Sequence, residues 1–83
     1  MDKIQRAARA KAILEDPLFK GAFDVLENEQ IRVFTDVSCN SEQIMEAHRS
    51  VRALRLLRDQ FASVILDGKL LERRVEKRKQ DRG

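Results

Sequence analysis

The chain has 83 residues, with 17 Lys or Arg against 14 Asp or Glu, one Cys, one His, four Phe and no Trp or Tyr. One cysteine excludes an internal disulfide and, beside one histidine, leaves no metal-cluster ligand set. No apolar run approaches the ~20 residues that cross a bilayer, and the lack of Trp and Tyr leaves little for single-stranded nucleic acid to stack on.

Charge is unevenly spread. Residues 17–47 carry two basic and six acidic groups, whereas residues 69–83 carry seven basic and three acidic ones. The composition is rich in Ala, Leu, Arg, Lys, Glu and Gln, all of which favour helix. The first residues, MDKIQRAARAKAIL, lack the apolar core of a secretory signal, so an intracellular location is expected.

A first helix is expected over 2–14. Ile4, Ala7, Ala8, Lys11 and Ala12 recur at three- and four-residue steps, and the alanines make a thin face that another helix can approach closely. Such a short helix needs a packing partner to persist. Glu15-Asp16-Pro17 should end it. Proline disfavours helix in the residue before it and suits the first position of a new helix, and Asp16 has the side chain to cap that start. A kinked continuous helix is the alternative.

The second helix is expected over 17–35. Phe19, Ala22, Phe23, Leu26, Val33 and Phe34 share one face, interrupted by Gln30, and Leu18, Val25 and Ile31 broaden it. Gly21 costs ~1 kcal/mol against alanine, which a close helix contact would account for. Asp36 to Asn40 is the turn, short enough to favour antiparallel neighbours. Asn40 and Gln43 have capping-box spacing. Cys39 would be reactive if a helix N-terminus lowered its pKa, but no second Cys or local base supports that.

The third helix is expected over 41–79, with 80–83 as a frayed tail. Leu54, Leu57, Phe61, Val64, Leu71 and Val75 alternate three- and four-residue steps, with Gly68 holding the missing place. That is the heptad seam of a helix packed along another helix. The helix should span about 60 Å, more than the second helix covers. Phe61 to Val75 is therefore expected to pack on another copy, and the whole set from Leu54 to Val75 forms the expected oligomer interface, in a dimer or a ring. Gly68 either ends the helix in a left-handed conformation or lies within it. The heptad resuming in phase at Leu71 favours continuity.

Arg49, Arg52, Arg55 and Arg58 wind around this helix. With Arg73, Arg74, Lys77, Arg78 and Lys79 they make a basic half suited to phosphate or an acidic partner surface. Asp59, Glu72 and Glu76 are placed to pair with them locally. His48 has no nucleophile or acid suggested beside it, and there is no Gly-rich phosphate loop. No catalytic residue, cofactor or metal is expected, and no membrane partner.

Two blocks, KAILEDPLFKGAFDVLE (11–27) and VRALRLLRDQFASVILDGKL (51–70), resemble small helical proteins encoded among head-assembly and DNA-packaging genes of tailed bacteriophages and prophages. Leu14, Asp16, Pro17, Leu18, Ala22, Phe23, Leu26, Glu27, Gly68, Lys69 and Leu70 carry the resemblance, over a little under half the chain. Such proteins often have a tryptophan in or after the second helix, where this chain has Val33-Phe34. The resemblance implies a viral or prophage context, in the host cytoplasm or on the virion, with phage structural or packaging proteins as partners. It implies no catalytic residue.

The expected fold is all-α: a short N-terminal helix, then an antiparallel helical hairpin with a long C-terminal helix, in one domain. The expected function is a non-enzymatic assembly or adaptor protein that self-associates through its long helix and contacts a partner with its basic C-terminal segment. The alternatives are a small DNA-binding component of a phage packaging machine and a small phage inhibitor docking on a host protein.

Overall fold

A computed structural model of the chain describes residues 1–81. It is all-α, with helices α1 (Lys3–Glu15), α2 (Pro17–Thr35) and α3 (Ser41–Asp81) and no strand among the described residues. Helix α3 continues past the expected end at 79. Of the tail expected to fray over 80–83, Gln80 and Asp81 are helical, and Arg82 and Gly83 lie outside the described residues.

Side chains set each helix start. The Asp2 carboxylate accepts from the Gln5 N–H at 2.8 Å, and the Gln5 side-chain oxygen accepts from the Asp2 N–H at 3.3 Å. Asp16 has extended backbone (φ −64°, ψ 124°) between two helices, and its carboxylate accepts from the N–H groups of Leu18 and Phe19 at 2.9 and 3.0 Å. With Pro17 first in α2, the chain breaks here and restarts; it does not bend as one kinked helix. Asn40 and Gln43 cap α3 reciprocally, at 2.8 and 2.9 Å. Each such cap satisfies backbone donors that the first turn leaves free, and is worth ~1 kcal/mol.

The contacts between α2 and α3 run in opposite directions along the two helices. Phe19 meets Phe61 (ring centroids 6.1 Å apart), Arg58 lies over Phe23 (5.4 Å), Arg55 faces Glu27 (3.7 Å) and His48 lies near Phe34 (6.5 Å). The two helices are therefore antiparallel. Helix α1 also runs antiparallel to α3, further along it. Ala7 lies against Gly68, while Ile13 shares a surface hollow with Phe61 and Val64. Helices α1 and α2 thus form one arm, broken at Asp16, laid along the single rod of α3. The molecule measures 67 × 23 × 20 Å with a radius of gyration of 18.7 Å, against about 12 Å for a compact chain of this length.

This arrangement corrects one expectation. The C-terminal seam is not wholly uncovered: α1 of the same chain lies against Phe61, Val64 and Gly68, while Val75 stays exposed. Gly68 is buried inside a continuous α3, where a methyl group would overlap the Ala7 Cβ and lie 3.1 Å from the Lys3 carbonyl oxygen. The close approach needs small residues on both sides. Ala7 and Ala10 are the buried alanines of α1, while Ala8 and Ala12, expected on the same thin face, are exposed.

The inward face of α3 also changes phase. In its first half Ala47, Val51, Leu54 and Arg58 turn towards α2; in its second half Phe61, Val64, Gly68 and Leu71 turn inward. The step from Arg58 to Phe61 to Val64 is three residues twice over, so the three-four alternation slips once. The slip falls where the opposing arm is broken at Asp16. Leu57, expected on the seam, is consequently 48% exposed. Arg58 replaces it, its apolar stem and guanidinium lying over Phe23. The buried apolar core is thin: Ala7, Ala10, Phe23, Ala47 and Val51.

Candidate interaction surfaces

The residues expected to form an oligomer interface divide into three groups. Gly68 is buried within the chain, and Leu54, Phe61, Val64 and Leu71 are half-buried. Leu57 and Val75 are exposed, Val75 at 38%. The N-terminal stretch of the seam is open as a groove of about 400 Å³ lined by Leu26, Gln30, Ser50, Ala53, Leu54 and Leu57. This is the α3 face that α1 occupies further along.

The arginine run separates similarly. The Nε of Arg55 faces the Glu27 carboxylate at 3.7 Å, the one ion pair among the described residues, and Arg58 stacks on Phe23. Both are engaged within the hairpin, while Arg49 and Arg52 are exposed. Arg73, Arg74, Lys77, Arg78 and Lys79 lie beyond Leu71, on the part of α3 that outruns α1. Every residue from Glu72 to Gln80 is exposed there, over about 14 Å of helix.

A second surface lies at the opposite end of the rod. Around the turn Phe34, Val37, Ile44 and Met45 are exposed, Val37 completely, beside the exposed carboxylates of Asp36, Glu42 and Glu46. Sequence reasoning missed this apolar patch because its members do not follow one helical period. The signal was their density beside an acidic stretch.

The turn itself is held by Asp36, whose carboxylate accepts from the Ser38 hydroxyl at 2.6 Å and the Ser38 N–H at 2.9 Å. These bonds favour the charged form and lower the Asp36 pKa below its ordinary value. Cys39 is half-exposed. Partial burial, followed by the nearby Asp36 carboxylate, pushes its thiol pKa up. The cap at the start of α3 therefore does not produce the lowered thiol pKa that a reactive Cys39 needs.

Among the described residues no group of three His, Cys, Asp or Glu side chains could hold a metal ion, and no helix is long and apolar enough to cross a membrane. No protein-family profile, no curated protein and no solved structure matches the chain. The fold therefore defines an all-α class, a broken helical arm on a long helical rod.

Proposed function

We propose that this chain is a non-enzymatic helical assembly or adaptor protein that self-associates through α3 and presents the basic end of α3 to an acidic partner surface. The observation that carries the proposal is the extension of α3 beyond α1. A helix that continues past its packing partner, with five Lys or Arg among residues 73–79, contributes nothing to the hairpin and is placed to meet something else. The resemblance of residues 11–27 and 51–70 to small proteins of phage head-assembly and packaging genes accords with such a role, in a host cytoplasm or on a virion.

Titration with a polyglutamate chain and, separately, with random duplex DNA tests the proposal. We expect polyglutamate binding at ~0.1 M salt that is lost in the triple variant Arg73→Glu, Arg74→Glu, Lys77→Glu. Binding unchanged by the variant would contradict the assignment to this end, and binding of neither polyanion would remove a charge-driven contact. Preferential duplex binding would favour the DNA-packaging alternative. Acting alone, the five tail cations would give a log K against log salt slope of about −4.5, which the exposed Arg49 and Arg52 would steepen if they also met phosphate.

A further inference from the structure

The groove between α2 and α3 continues a surface that the chain already uses. Ser50, Ala53, Leu54 and Leu57, which line it, fall within about 100° of the circumference of α3. Phe61, Val64 and Gly68, which α1 covers, fall in that same sector. No charged residue stands in the sector between Glu46 and Glu72. It is one uncharged strip, covered by α1 beyond Phe61 and open before it.

Helix α2 has a matching excess of apolar surface. Phe19, Phe23 and Phe34 meet α3. Leu18, Ala22, Val25 and Leu26 form a second sector, roughly 100° round the helix from the first. All four are exposed, Leu18 at 82% and Val25 at 55%, and Glu29 is the one charged residue among them. Leu26 lines the groove with Leu54 and Leu57, so both open sectors lie on one side of the hairpin.

We propose that two copies associate through this side of the hairpin, about a two-fold axis parallel to the rod. Helix α2 of each copy lies in the groove of the other, in line with the other's α1. The inference rests on the self-association in the proposed function and specifies its surface.

Continuity with the α1–α3 contact favours this occupant. Beyond Phe61 the strip is filled by a helix of this chain, and α2 of a second copy extends that line towards the turn. The angles agree as well. In a four-helix bundle each helix meets two neighbours about a right angle apart, which is close to the spacing of the two apolar sectors of α2. Two hairpins about this axis give every helix antiparallel neighbours, and the two-fold closes the assembly at two. The axis also keeps each residue at its level along the rod. Val25, between the levels of the Phe23–Arg58 and Glu27–Arg55 contacts, therefore comes against Ala53 and Leu57 of the second copy. Glu29 comes within a turn of the exposed Arg49 of that copy, a cation at the rim of the strip. The single chain needs such burial: of its five buried apolar residues three are alanine, a thin core for a domain of this size.

Solution mass of the full chain tests the inference. We expect twice the 9.6 kDa chain mass at both ~0.1 M and ~1 M salt, because the strip is uncharged. Val25→Glu and Leu57→Lys, each at an exposed position, should each be monomeric with helical content retained. Their equimolar mixture should recover a dimer of one of each, the new carboxylate meeting the new amine. If a charged variant loses helix, Val25→Ala with Leu57→Ala should raise the dissociation constant at least ~10-fold instead. A monomeric wild type overturns the inference and leaves the groove to a foreign helix; polyglutamate binding by that sample would keep the basic-end contact of the proposed function. Dimers that survive the substitutions overturn this face while self-association stands. Growth beyond two copies, or a mixture that stays monomeric, overturns the two-fold arrangement.

Discussion

Gly68 of α3 lies against Ala7 of α1 so closely that a methyl group on Gly68 would overlap the Ala7 Cβ. Through that contact one chain covers the seam that its own hairpin partner is too short to reach. The other helical glycine, Gly21, has nothing within 4 Å of the place a Cβ would take.

The two glycines should therefore respond oppositely to alanine. Gly68→Ala overpacks the α1–α3 contact and should cost ~1–3 kcal/mol, although alanine is the better helix former. Gly21→Ala meets open space and should gain up to ~1 kcal/mol. Urea unfolding midpoints check both signs; a stabilised Gly68→Ala would mean that α1 does not rest there.

Glu27 gives a second pair of opposite signs. Its Oε2 is buried without a hydrogen-bond partner, and Arg55 answers it at 3.7 Å from a half-exposed position. Such a carboxylate stays largely uncompensated. Glu27→Leu should be neutral or slightly stabilising, while Arg55→Leu should cost about 1 kcal/mol because the carboxylate remains. Equal losses from the two variants, read from thermal unfolding, would show that the pair itself stabilises the fold.

The turn should respond to acid. The Asp36 carboxyl is held below its ordinary value by Ser38, so its contribution is present above the unfolded carboxyl pKa and is lost as pH falls through the lower folded value. The Ser38 amide should keep its hydrogen-bonded shift at neutral pH and lose it only at a pH below the ordinary aspartate value. In Asp36→Asn that acid transition should vanish; its persistence would assign it to another carboxyl. The raised Cys39 thiol should alkylate more slowly than free cysteine near neutral pH.

Much of this architecture was legible in the residues because the breaks are local. Asp16-Pro17 and Asn40 with Gln43 set helix boundaries by cap chemistry that needs no tertiary contact. What covers the seam was not legible. Residues 7, 8, 10 and 12 are all alanine, so periodicity cannot say which of them face α3. Leu57 and Arg58 both fit three- and four-residue steps, and hydropathy favours the leucine, yet the break in the opposing arm brings Arg58 over Phe23.

The most direct test of the central claim, that α1 closes the seam of its own α3, is an isotope-filtered nuclear Overhauser experiment between the Ala7 methyl and the Gly68 α-protons. The structure predicts a strong cross-peak within one uniformly labelled chain and none between labelled and unlabelled copies in a mixed sample. A cross-peak seen only between copies would show α1 exchanged between chains, and no cross-peak in either sample would leave the seam open, each contradicting the fold described above.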